Sequence, residues 1–94
     1  MSIADALALK NTQAALSGGL TVTLRRPSAL DFVEAADIAA KKPSSLYAWF
    51  AYRHLLDESG RPVFASLEAA LDADGKVIWQ IGKACELLYE EGRD

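Results

Sequence analysis

Leu20 to Arg26 alternates with a period of two. Leu20, Val22 and Leu24 fall on one side and Thr21, Thr23 and Arg25 on the other, the signature of a half-buried strand. Pro27 closes it, because proline offers no N–H to a ladder. Most of the remaining chain reads with helical spacing. Ser2 with Asp5 opens a helix from Ile3 to about Leu16, stopped by Gly18-Gly19. Ser28-Ala29-Leu30-Asp31 is a second capping box, and the helix behind it ends near Lys41-Lys42, before Pro43. A third helix starts at Ser44 or Ser45 and runs to about Leu56. Asp57 to Pro62 is a turn. Ser66 caps a short helix through about Leu71, and a last helix runs from about Lys76 to Glu91 behind a turn at Asp72 to Gly75. Its apolar stripe is Val77, Ile81, Ala84 and Leu88, flanked by Ile78, Cys85 and Leu87. Val77-Ile78-Trp79 could form a short strand, but three turns of stripe favour helix.

These elements predict a mainly α fold: a small helical domain of four to five helices with one short strand near residues 20–26. The chain reads as a single domain, 1–94, with residues 1–18 as a helical arm and residues 20–91 as the core. A lone strand needs a neighbour. Leu20, Val22 and Leu24 pair either with the short piece Pro62 to Phe64 or across a subunit boundary, as an oligomer strand.

The aromatic side chains change this picture most. Tyr47, Trp49, Phe50 and Tyr52 are four of eight aromatics in the chain, and they spread over more than one face of the third helix. One reading makes them a broad core contact. The other makes them a protein-binding surface, since aromatics are enriched at binding hot spots.

Charge and candidate chemistry narrow the function. Ten basic and thirteen acidic residues give a net charge of -3, and the basic doublets Arg25-Arg26 and Lys41-Lys42 are dispersed, which argues against nucleic-acid binding. One cysteine excludes an internal disulfide, no signal peptide or apolar span is read, and a cytoplasmic protein is expected. His54 lies near Asp57 and Glu58 and reads as a partly exposed helix histidine rather than a general base. Cys85, beside Glu86, reads as a small core residue. One histidine and one cysteine do not make a metal site. Asp72-Ala73-Asp74-Gly75 lacks the continuation of a calcium loop, and Ser17-Gly18-Gly19-Leu20 lacks the later glycine and lysine of a phosphate loop. No catalytic, cofactor-binding or metal residue is assigned, no small-molecule substrate is expected, and the chain reads as a non-enzyme.

The order of segments supports one further step. A strand ending in Thr23-Leu24-Arg25-Arg26-Pro27-Ser28 runs into a helix at Leu30-Asp31-Phe32. The stretch Leu55 to Phe64, LLDESGRPVF, is followed by a short helix and a closing helix. In this the chain resembles the small tail assembly chaperones of long-tailed bacteriophages and prophages, over roughly residues 20 to 90. The resemblance implies a helical, non-catalytic protein of the bacterial cytoplasm. Such a protein binds the tape measure protein, keeps it soluble, helps recruit tail tube protein and forms a homo-oligomer. A small helical regulatory or antitoxin-type adaptor is the alternative, and it would need a basic surface for operator DNA.

Overall fold

A computed structural model of the protein describes residues 2–93. In chain order the elements are α1 (Ile3–Leu7), β1 (Asn11–Ala15), β2 (Thr21–Arg25), α2 (Ala29–Lys41), a 3-10 turn (Pro43–Ser45), α3 (Leu46–His54), β3 (Leu55–Leu56), α4 (Leu67–Leu71) and α5 (Gly75–Arg93). The strands form one antiparallel sheet in the order β1-β2-β3. The fold is therefore α+β, which overturns the expected mainly α domain with a single minor strand.

The largest departure lies at the start of the chain. The helix expected from Ile3 to Leu16 stops at Leu7, and Asn11–Ala15 is a strand paired with β2, Asn11 opposite Arg25 and Ala15 opposite Thr21. Alanine and glutamine favour helix in isolation, but the β-forming sequence of β2 needs a partner and local propensity yields to it. Ser17-Gly18-Gly19 makes the reversal, with both glycines at positive φ, 89° and 84°, where a side chain would be strained. Leu16, just after β1, is buried in the core. Residues 8–16 therefore do not belong to a helical arm.

β2 is the central strand. Its second edge pairs with β3, Thr23 opposite Leu56 and Leu24 opposite Leu55. Both partners come from the same chain, and β1 takes the side of β2 on which Val22 and Leu24 carry their backbone groups. Neither expected pairing for Leu20, Val22 and Leu24 is realised. Leu24 is fully buried and Val22 half-buried in the core of this same chain, while Leu20 is exposed. Pro62 bridges to Leu56 instead of β2.

The expected caps form where a side chain can reach a free N–H. Ser28 and Asp31 complete a reciprocal capping box on α2, and the Ser2 and Ser66 hydroxyls accept from Asp5 and Ala69. The Asp74 carboxylate accepts from the N–H groups of Lys76 and Val77, capping α5, as an Asp before a helix should. The Asp57–Pro62 turn is held by Asp57 Oδ1, which accepts from Ser59 and Arg61, and Gly60 takes the positive φ. LLDESGRPVF is thus a tight reversal joining β3 to the Leu56–Pro62 bridge.

α3 is the hub of the packing and meets α5 along its length, with α4, α2 and β2 on its other sides. It ends at His54, two residues before the expected boundary, because Leu55 and Leu56 turn extended to join the sheet. The buried stripe of α5 is Ile78, Ile81, Gly82, Cys85 and Tyr89. This stripe is rotated by about one residue from the expected one, and it leaves Val77, Trp79 and Leu87 exposed.

Candidate functional site

Two regions of the molecule carry unusual chemistry, one sealed and one open. The sealed region lies under α3. Asp31, fully buried, leaves the capping box with oxygens to spare. Its carboxylate accepts from the Ser28 N–H at 2.9 Å and from Arg53 Nε and Nη2 at 3.1 and 2.6 Å, and it pairs with Arg25 at 3.0 Å. Arg25 also donates to the Arg53 carbonyl. His54 Nδ1 lies 2.7 Å from the Arg25 carbonyl and Nε2 lies 2.6 Å from the Tyr89 hydroxyl. A carbonyl only accepts, so Nδ1 carries the proton and Nε2 accepts the Tyr89 O–H. One network thereby ties β2, α2, α3 and α5 together.

Burial pushes the Asp31 carboxyl up, but the Ser28 and Arg53 hydrogen bonds and the two guanidinium charges outweigh it and hold the group below its usual range. Burial lowers the His54 imidazole, against smaller opposing effects of the Arg25 carbonyl and Asp31. His54 is therefore a buried, neutral structural residue, not the partly exposed one expected beside Asp57 and Glu58. Cys85 is fully buried, and burial pushes its thiol up to about 12, which removes the thiolate that nucleophilic chemistry needs.

The open region is a cleft of about 410 Å³ between α3, α4 and α5, lined chiefly by Leu46, Tyr47, Ala70, Leu71, Ile78 and Trp79, with Pro43 and Ser44 at its end. This volume lies within the range of ligand pockets. No lining residue carries a titratable group other than the Tyr47 phenol, so the cleft can hold apolar surface but offers no acid–base pair. Among the described residues no group of three His, Cys, Asp or Glu side chains is placed to hold a metal ion.

Two residues shape the cleft. The Tyr47 ring lies against Gly82, where an added Cβ would come within 2.3 Å of the Tyr47 ring carbon. Its hydroxyl donates to Glu86 at 3.0 Å. Burial raises the Tyr47 phenol first, and Glu86 adds to this. Trp79, 57% exposed, stands at the rim with its ring 6.4 Å from that of Tyr47 and Lys83 5.6 Å above it. The indole is held by a tyrosine edge and a cation yet left in water, beside the half-exposed Leu71 of the same cleft, so the rim offers contiguous apolar surface.

The expected aromatic surface is divided by the fold. Trp49 and Phe50 are 5% and 3% exposed, in core contact with His54 and Tyr89, and are not a surface. Tyr52 is half-buried and packs against the core. Only Tyr47 reaches the cleft. Its partner Trp79 was not among the expected site residues. The available signal was that Trp79 lies off the apolar stripe of its helix. The sequence shows Asp31 as a cap; Arg25 lies six residues upstream, but no local pattern marks it or the distant Arg53 as a partner.

No helix among the described residues is long and apolar enough to cross a membrane. No protein-family model, curated protein or solved structure matches the chain.

Proposed function

We propose that this chain is a non-catalytic protein-binding chaperone whose cleft between α3, α4 and α5 takes apolar side chains of a helical client. The observation that carries this reading is Trp79, a large indole kept in water at the rim of an apolar cleft. Joined to the resemblance of residues 20–90 to phage tail assembly chaperones, the reading becomes specific. The client is a tape measure protein, with tail tube protein recruited afterwards, and the chaperone works as a homo-oligomer in the bacterial cytoplasm. The helical layer of α3, α4 and α5 suits that reading, although the implied helical fold is here joined to a sheet.

The distribution of basic residues supports this reading over the operator-binding adaptor. Arg25 is spent on Asp31, Arg26 lies 3.6 Å from Glu91, and Lys41 pairs with Asp37 at 2.9 Å. Lys10, Lys42, Arg61, Lys76 and Arg93 make no ion pair among the described residues, but they are spread over separate turns and helix ends rather than gathered on one element, whereas operator binding calls for a concentrated basic face.

The test is co-expression with a tape measure protein of a long-tailed phage, scoring solubility and co-purification. The client should be insoluble alone and soluble in complex. Trp79→Ala should weaken the complex by about 2 kcal/mol, roughly thirtyfold, as for a hot-spot indole. The variant's own stability should change by no more than about 1 kcal/mol, since the side chain is exposed. A client that never associates sinks the chaperone reading. A complex indifferent to Trp79→Ala moves the site away from the cleft.

A further inference from the structure

The sheet has two outer strands, and they are finished differently. β3 is two buried residues, and Pro62 and Val63 fold back over it, with the Val63 N–H donating to the Leu55 carbonyl. β1 is five residues long and nothing comparable covers it. The Arg26 N–H donates to the Lys10 carbonyl and the Leu16 N–H to the Leu20 carbonyl. Alternation along an antiparallel pair then directs the backbone groups of Thr12 and Ala14 toward β2, and those of Asn11, Gln13 and Ala15 outward. Those three residues are exposed, and among the described residues their outward groups have no backbone or side-chain partner.

Natural proteins blunt such an edge with lysine, proline or a bulge. Here the register with β2 is continuous over Asn11–Ala15, and no charge or proline occurs from Asn11 to Gly19. The edge is regular and built of uncharged side chains, in a molecule whose remaining surface is well supplied with charge.

We propose that β1 joins two copies of this chain edge to edge, antiparallel about a twofold axis at Gln13. The pattern is self-complementary. Asn11 falls opposite Ala15 of the second copy, Gln13 opposite Gln13, and Ala15 opposite Asn11, so every outward N–H and C=O meets its counterpart. These three close pairs exchange roughly six hydrogen bonds. No like charges oppose each other, because Lys10 lies beyond the paired segment and faces the Leu16 end of the second copy. Thr12 and Ala14 of both copies share the inner face, which places both helical layers on the same side of one six-stranded sheet. Two clefts are then presented in fixed relation on one assembly, which favours a long client through repeated contact. Five paired residues fall short of the roughly 1,000 Å² of a stable interface, so the dimer is concentration-dependent.

The inference rests on the homo-oligomer part of the proposed function and has its own test. Sedimentation of the full chain over a concentration series should show a monomer–dimer equilibrium, and the amides of Asn11, Gln13 and Ala15 should gain exchange protection as the dimer fills. Gln13→Lys sets two like charges opposite each other, and Gln13→Pro removes the central donors without touching the β1–β2 ladder. Each should weaken dimerisation at least about tenfold, while Ala39→Lys on the exposed face of α2, with the same charge change, should not. Circular dichroism checks that each variant folds; if the proline variant does not, the lysine variant decides. Wild type that stays monomeric, or Gln13 variants that dimerise like wild type, overturns the inference. Client binding by a monomer would leave the chaperone reading standing, and a β1 dimer without client binding would do the reverse.

Discussion

The two sides of α3 use aromatic residues in opposite ways. On one side Trp49, Phe50, His54 and Tyr89 form a closed stack around the Asp31 network, with ring centroids of Phe50 and Tyr89 4.8 Å apart and every buried side-chain nitrogen and oxygen among the described residues hydrogen-bonded. On the other side Tyr47 and Trp79 border an open cleft whose lining has almost nothing to titrate. Aromatic density along a sequence does not separate these cases. Which ring is core and which is surface is decided by the partner helix, and α5 supplies both Tyr89 for the closed side and Trp79 for the open one.

The sharpest way to break the comparison is at Asp31. Asp31→Ala deletes the anion that joins Arg25 and Arg53 and leaves the Ser28 N–H without its acceptor. Removing one partner of a buried ion pair costs about 3–5 kcal/mol. Each arginine side chain is about a quarter exposed and can turn partly to water, which places the expected loss at about 3 kcal/mol, at the low end of that range. Urea unfolding measures it. If the variant loses less than about 1 kcal/mol, the network is not what ties β2, α2, α3 and α5 together.

Gly82→Ala attacks the open side and has the next largest effect. Alanine improves helix propensity by about 1 kcal/mol, yet its Cβ would sit 2.3 Å from the Tyr47 ring carbon. Overpacking of this kind costs about 1–3 kcal/mol. A net loss near 1 kcal/mol is expected, with Tyr47 displaced toward the cleft. The accompanying readout is client binding, which should fall more than stability does. A variant more stable than wild type, with full client binding, would show that Tyr47 yields without consequence.

How much of this was legible in the sequence follows from the range of the interactions. Caps and turns are decided within four residues, so Ser28–Asp31, Ser66 and the Asp57–Pro62 reversal could be read directly. β2 could be read from its alternation. β1 could not: Asn11 to Ala15 carries no strand pattern and is extended only because β2 needs an edge partner and Ser17-Gly18-Gly19 turns the chain back. His54 and Asp31 escaped for the same reason. Their partners lie 35 and 22 residues away at Tyr89 and Arg53, and short-range spacing pointed His54 at Asp57 instead. Gly82 was legible as a helix cost, but its compensation, the ring of Tyr47 on another helix, was not.

The last expected effect separates the two sides by pH. His54 is held neutral below its ordinary value of 6.5 by burial. Above that value the imidazole is neutral in both folded and unfolded chains and pH has no leverage through it. As the pH falls below 6.5 the unfolded chain takes up a proton that the folded chain refuses, so unfolding is favoured and stability declines. The slope approaches about 1.4 kcal/mol per pH unit until the folded-state value is reached. Asp31, also lowered, acts in a separate window below 3.8, where stability again falls with pH. The urea midpoint should therefore be flat from pH 8 to 7 and decline between pH 6.5 and 5, and the double variant His54→Phe, Tyr89→Phe should abolish that decline. On the proposed function, client affinity should not change over the same interval while the protein remains folded, because the one titratable group lining the cleft is a phenol raised above its ordinary 10.0. A midpoint that holds steady or rises as the pH drops to 5 would mean that the imidazole accepts its proton inside the fold. The closed side of α3 would then be open to water in a way its geometry does not allow.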